Sequence, residues 1–185
     1  MCGFLYNWIM KKYVPYCMAS SIYDIDLDFF NKIGVNYLLF DLDNTLDGPH
    51  TALPSKKCIK LMETIKKSGF TPIIISNNKK KRVNKYSSEI NVDYLHRAFK
   101  PFPYRLKKYL KDKNIPLESV IMIGDQTCTD IKCANNIGIK SCLTTRLESK
   151  DQIVTILNRK IDERNRKIIL KKNLSKDWRE LYAKI

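Results

Sequence analysis

The sequence predicts an α/β fold of three layers, with a central parallel sheet of about five strands. Three observations carry that prediction. Short apolar runs alternate with segments of helical periodicity. Several of those runs end in small polar or acidic residues, where parallel sheets hold their ligands. The chain has 185 residues, 44% of them hydrophobic, enough for one domain with a real core.

Residues 1–23 mix Trp8, four tyrosines (Tyr6, Tyr13, Tyr16, Tyr23), Phe4, Leu5 and Ile9 with lysines, and no acid precedes Asp24. That mixture suits a membrane interface and equally a leader folded onto the domain's own core. Ser21 to Gly34 reads as a short helix capped by Asp26, with Leu27, Phe30 and Ile33 at helical spacing. Residues 1–34 are therefore expected to be a leader with a short helix, 35–165 the core, and 166–185 a basic helical tail.

Val35 to Phe40 is the first buried strand, bounded by Gly34 and running into Asp41-Leu42-Asp43-Asn44-Thr45. Side chains alternate along a strand, so Asp41 and Asp43 point the same way at its C-terminal end. Paired carboxylates repel and call for a cation beside them. Asp41 is placed as a nucleophile and Asp43 as a proton handler. An isolated Asp-x-Asp would read only as a strand cap and turn, with Asn44 and Gly48 helping and Asp47 as a turn residue.

Ser55 then caps a helix with Cys58, Leu61, Met62 and Ile65 on one face, closed at Gly69. Phe70 to Ile75 is the second strand and ends in Ser76-Asn77-Asn78. Lys79 to Lys85 opens a helix with basic residues, which is unfavourable at a helix N-terminus unless an anion sits near. A solvated lysine face is the plain alternative. Asn91 to Leu95 is a third strand leading to Lys100-Pro101, and Pro101 and Pro103 mark the next helix, with Leu106, Tyr109 and Leu110 inward. Val120 to Ile123 is the fourth strand, followed by Gly124-Asp125 and Asp130. Ile131 to Ile137 is a helix closed by Gly138, and Ile139 to Leu143 the fifth strand. From Lys150 the pattern is helical and basic, with Ile153, Ile156, Leu157 and Ile161 on one face.

The net charge of +15 points to an anionic partner: a phosphorylated substrate, nucleic acid or an acidic membrane surface. Mere solubility is the plain alternative, since some genomes favour lysine-rich compositions. No apolar stretch approaches the ~20 residues that span a bilayer. Lys11 and Lys12 follow the apolar segment instead of preceding it, against a signal peptide. The six cysteines form no Cys-x-x-Cys and match no zinc spacing, as expected of reduced thiols in a cytoplasmic chain. His50 and His96 read as loop or surface residues.

Four strand ends thus carry chemistry in chain order: Asp41-x-Asp43-x-Thr45, Ser76-Asn77, Lys100-Pro101, and Gly124-Asp125 with Asp130. In this order they resemble the motifs of the haloacid dehalogenase (HAD) superfamily, over roughly residues 35 to 145. The resemblance implies a Rossmann-like HAD core. Asp41 would form an aspartyl-phosphate, and Asp43 would serve as acid and then base. Thr45, Ser76, the Asn77 N–H and Lys100 would bind the phosphoryl group. Mg²⁺ would be held by Asp41, the main chain of Asp43, Asp125 and Asp130. The acid at position 43 favours a phosphatase or phosphomutase over a dehalogenase.

The gaps from Thr45 to Ser76 and from Ser76 to Lys100 leave room for core elements only, so no cap domain is expected. A closer resemblance is to the YqeG-type capless phosphatases, related to phosphatidylglycerophosphate phosphatases. It rests on Val14-Pro15-Tyr16, Ser21-Ile22-Tyr23-Asp24-Ile25-Asp26, Phe40 to Leu46, Ser76-Asn77-Asn78, Ala98-x-Lys100-Pro101 and Gly124-Asp125-Gln126-x-x-Thr129-Asp130. The chain departs from that pattern at Asp47-Gly48-Pro49-His50 and in its basic Lys79 to Arg82. The implied reaction is dephosphorylation of phosphatidylglycerophosphate, by a cytoplasmic protein peripheral on the inner membrane face. A polynucleotide, nucleotide or small-molecule phosphatase is the first alternative. A non-enzymatic nucleic-acid or ribosome-associated binding protein is the second.

Overall fold

The computed structural model describes residues 10–49, 51–147 and 156–185, and side chains within these except at 156–158. Trp8, the other aromatic residues before Met10, His50, Ile153 and the side chains of Ile156 and Leu157 lie outside the described residues.

Every strand pairing is parallel, in the order β4-β3-β2-β5-β6-β1-β7. The strands are β1 (Cys17–Ala19), β2 (Tyr37–Phe40), β3 (Thr71–Ile75), β4 (Asp93–Leu95), β5 (Val120–Gly124), β6 (Lys140–Thr144) and β7 (Lys176–Asp177). The helices are α1 (Leu27–Lys32), α2 (Lys56–Lys67), α3 (Lys80–Glu89), α4 (Tyr104–Asp112), α5 (Lys132–Ile137), α6 (Ile156–Lys171) and α7 (Trp178–Tyr182).

Among the described residues seven strands stand where about five were expected. The two extra ones are β1, three residues long, and β7, two residues long. Neither is long enough to show periodicity; main-chain pairing alone makes them strands. Met18 lies opposite Leu143 on one side and Asp177 on the other. Ser21 to Gly34 is also not one helix. A 3₁₀ turn at Ile22–Asp24 is capped by Ser21, and α1 starts only after Asp26, whose carboxylate accepts the Asp28 N–H. β4 starts at Asp93 because Asn91 takes a positive φ of 47°.

The alternation of β2 explains the three layers. Leu38 and Phe40 join Ile74, Ile121 and Ile123 on one face, with Phe29, Phe30, Met62, Ile65, Val83, Tyr86 and Trp178. Leu39 joins Ile73, Ile75 and Met122 on the other, with Leu106, Leu110 and Ala134. α1, α2, α3 and α7 thus cover one face, and α4 and α5 the other. Truncating a fully buried side chain such as Ile65 to alanine costs about 2–5 kcal/mol. No helix among the described residues is long and apolar enough to cross a membrane.

Candidate active site

β2, β3 and β5 end side by side, and the residues that follow them face one another. Register aligns Phe40 with Ile74 and with Ile123, so Asp41, Ser76 and Asp125 emerge within one or two steps of the same level. The Asp41 N–H donates to the Ile123 carbonyl at 2.9 Å, which carries the ladder up to the acid.

Lys100 is buried at 5% exposure and reaches into this edge from the loop after β4. Its Nζ lies 2.5 Å from Asp41 Oδ1 and 2.7 Å from Asp130 Oδ1, and donates to the Ile75 carbonyl at 2.9 Å. The Asn77 amide fixes its main chain: Lys100 N donates to Asn77 Oδ1 at 2.8 Å and Asn77 Nδ2 donates to Lys100 O at 3.0 Å. Burial would lower the Lys100 pKa, but the Asp130 and Asp41 carboxylates outweigh it and raise it.

Asp41, Asp125 and Asp130 form a buried triad whose ligand oxygens all lie within 4.8 Å of one another. Asp125 is fully buried; Arg146 Nε lies 3.2 Å from its Oδ2, and Oδ1 has no hydrogen-bond partner. Asp130 accepts the Gln126 N–H at 3.1 Å from within a π-helical turn, Thr127–Ile131. Gly124 permits this packing: a Cβ there would lie 2.5 Å from Asp130 Cβ. Burial, then the charges of Asp130 and Asp43, push Asp41 up to about 7 against the pull of Lys100. Burial, then Asp130 and Asp41, raise Asp125 well above the usual carboxylate range, with Arg146 opposing. One lysine and one partly exposed arginine face three carboxylates. Their hard oxygens, one of them orphaned, fit a divalent cation such as Mg²⁺.

Asp43 stands apart from the triad. Its Oδ2 accepts from Asn78 Nδ2 and its Oδ1 from Arg82 Nη2, each at 2.5 Å. Arg82 also donates to the Pro49 carbonyl at 2.8 Å. The basic start of α3 therefore does meet an anion, a side chain of this chain. Ser76 is buried, and its Oγ accepts the Asn78 N–H at 3.1 Å, leaving its hydroxyl hydrogen to donate elsewhere. Thr45 Oγ1 is buried without a hydrogen-bond partner.

A layer of side chains that the sequence reading missed supports the Asp125 loop from α6. Buried Asp162 accepts from Thr127 N at 2.6 Å and Thr127 Oγ1 at 2.7 Å, and from Arg166 Nε at 2.9 Å. Arg166 Nη2 donates onward to the Asp125 and Thr144 carbonyls. The one visible signal was the i, i+4 spacing of Asp162 and Arg166. Asp47, expected in a turn, is instead a buried acceptor for Tyr86 Oη and for Ser55 N.

Comparison with known proteins agrees with this geometry. Residues 98–155 match the model of the HAD-hydrolase-like family. Over 159 residues the chain is 27% identical to "Probable phosphatase YqeG" of Bacillus subtilis (strain 168), covering 84% of this chain and 91% of that one. Among solved structures, an uncharacterized protein from Listeria monocytogenes serotype 4b shares the fold with a TM-score of 0.51 at 16% identity, over 64% of this chain and 86% of that one. The 3-deoxy-D-manno-octulosonate 8-phosphate phosphatase from Moraxella catarrhalis gives a TM-score of 0.48 at 16% identity, over 78% and 97%. The parallel sheet, with ordered acids and a lysine at its C-terminal edge, agrees with the match to the family model and with the likeness to the Bacillus protein: the chain is similar to the HAD-like hydrolases, and its chemistry is that of a phosphatase.

Proposed function

We propose that the protein is a Mg²⁺-dependent phosphomonoester hydrolase that works through an aspartyl-phosphate on Asp41, and that its substrate is phosphatidylglycerophosphate. The observation that carries the chemistry is Asp41 itself, at a strand end between buried Lys100 and the two other acids of the triad.

Asp41 attacks phosphorus through its carboxylate oxygen, and the phosphorus–oxygen bond to the leaving alcohol breaks. Lys100 offsets the charge of Asp41 and of the phosphoryl oxygens. The Ser76 hydroxyl, the Asn77 N–H and the Thr45 hydroxyl orient those oxygens. Asp43, held by Asn78 and Arg82, gives a proton to the leaving alkoxide and then takes one from the water that cleaves the acyl phosphate. Asp41, Asp125 and Asp130, with the main chain of Asp43, would hold Mg²⁺. When bound, the ion screens the carboxylates from the approaching phosphate and polarises it.

Two features support a lipid substrate. Among the described residues only α2 and β3 lie between Thr45 and Ser76, and only α3 and β4 between Ser76 and Lys100, so no cap encloses the site. The charge of +15 suits an anionic surface, at the inner face of a membrane. The test is phosphate release from phosphatidylglycerophosphate in mixed micelles, with Mg²⁺ or chelator, beside a soluble phosphomonoester and a 3′-phosphorylated oligonucleotide. Metal-dependent preference for the lipid, absent in Asp41→Asn, is expected. Turnover of only the ester or the oligonucleotide would discard the lipid and keep the chemistry.

A further inference from the structure

Beside the mouth of the site, three large aromatic side chains face solvent within six residues. Phe99 is 54% exposed, Phe102 64% and Tyr104 79%, while Lys100 among them is buried. Isolated exposed apolar residues are ordinary; a cluster at the rim of a site is not. A groove of about 460 Å³ runs from Phe99, Phe102 and Tyr104 down to Asn77 and Lys100.

The chain holds these rings outward at some cost. Phe99 has a φ of 56° and Arg97 one of 46°, a region that bulky side chains avoid. Arg97 N donates to Asn78 O at 2.9 Å, Ala98 N to Ser76 O at 3.0 Å and Phe102 N to Phe99 O at 2.9 Å. These bonds tie the rim to the loop after β3, so it moves with the site.

The surroundings are uniformly basic. No acid occurs from His96 to Lys111, where Arg97, Arg105, Lys107 and Lys108 stand, nor from Ser76 to Ser88, where Lys79, Lys80 and Lys81 stand. Cations from both loops converge in space: His96 is held below its ordinary range by slight burial and then by Arg105, Lys80 and Arg97.

We propose that Phe99, Phe102 and Tyr104, ringed by Lys80, Arg97 and Arg105, form a docking rim that sets the open site against an anionic bilayer. This deepens the lipid reading above and rests on it. The aromatic rings enter the headgroup–acyl boundary while the cations meet lipid phosphates. Single-stranded nucleic acid also likes rings among cations, but there each ring needs a free face for a base. The guanidinium of Arg105 lies 5.4 Å from the centre of the Phe99 ring and occupies one of its two faces, which leaves less of that ring for a base. A bilayer accepts ring edges and a covering cation alike.

The experiment is co-sedimentation of the full chain with vesicles of phosphatidylcholine alone or mixed with phosphatidylglycerol. The wild type is compared with a Phe102→Ser/Tyr104→Ser double variant. The wild type is expected to sediment with the mixed vesicles, and the double variant to partition roughly tenfold more weakly or worse. Turnover of a soluble phosphomonoester is expected to stay unchanged, which shows that the variant is folded. Equal vesicle binding by both proteins overturns the proposal, as does a wild type that ignores vesicles. So does a double variant that loses binding to single-stranded RNA while keeping the vesicles. Micellar lipid turnover by a protein that never sediments would leave the substrate reading standing and sink the rim. Rim-dependent sedimentation without lipid turnover would do the reverse.

Discussion

Arg82 Nη2 lies 2.5 Å from Asp43 Oδ1 and 2.8 Å from the Pro49 carbonyl, so one guanidinium clamps the second aspartate to the turn that follows it. Asn78 holds the other Asp43 oxygen. In the proposed reaction this clamp aims the proton carrier. Arg82→Gln is expected to lower kcat by about 10- to 100-fold with a smaller change in KM, since orientation is lost and not the nucleophile. Arg82→Lys should recover little, because an ammonium lacks the planar fork. Steady-state kinetics on a soluble phosphomonoester would read both.

In the proposed scheme the acidic triad couples stability to metal and pH together. Without metal, Asp41 is pushed up to about 7 and Asp125 is raised well above its usual range. The folded chain then holds protons that the unfolded chain releases near pH ~4, so these acids cost stability as pH rises from there towards about 7. A bound cation takes the place of those protons, so its affinity grows over the same interval. Thermal melts with Mg²⁺ and with chelator should show a larger Mg²⁺-induced rise in Tm at about pH 8 than at about pH 6. A rise independent of pH would put the ion elsewhere.

Asp162 touches neither substrate nor metal in this scheme, yet it holds the loop that carries Asp125. Asp162→Ala leaves the Thr127 N–H without its acceptor and removes the carboxylate partner of Arg166, which keeps its bonds to the Asp125 and Thr144 carbonyls. Its arginine partners are only 21% and 25% exposed, so the loss should be about 2–4 kcal/mol, below that of a wholly buried pair. The telling measurement is the Mg²⁺ concentration for half-maximal activity. It should rise several-fold as a second-layer support is lost, and more in Asp162→Ala than in Asp162→Asn.

Two glycines should answer alanine differently. At Gly124 the new Cβ would collide with Asp130, which must move and loosen its 2.7 Å pair with Lys100. Activity is expected to fall at least about tenfold, with about 1–3 kcal/mol of stability. At Gly138, where φ is 90° and space is free, alanine should cost about 1 kcal/mol and leave turnover alone. Denaturant melts beside initial rates would separate the two.

What could be read in advance was what is written locally. The run into Asp41 is apolar and ends in acids, so a strand and its ligand edge were both visible. Ser76, Lys100 and Asp125 were visible for the same reason, each standing at or just beyond a strand end in the expected order. The partners of charges were not. Lys79 to Arg82 could mean a nearby anion or a solvated face, and only the folded chain brings Asp43 to Arg82. Asp162 sits in a basic helix and looks like any surface acid until Thr127 packs under it. Asp47 looked like a turn residue because its acceptors' donors, Tyr86 and Ser55, lie elsewhere in the chain. β1 and β7 escaped because two or three residues carry no period.

The pairing of β1 also dictates an order of assembly. Among the described residues Cys17, Met18 and Ala19 find their strand neighbours only in β6 and β7, which come much later in the sequence. A ribosome releases this strand early and its partners late. Until β6 is made, β1 must stay unpaired, while the sheet from β4 to β5 already has its own partners. The α6 support for the Asp125 loop arrives late as well. During translation the nascent chain therefore carries Asp41 long before β6, α6 and β7 exist to hold the site around it, and the assembled site waits for those elements.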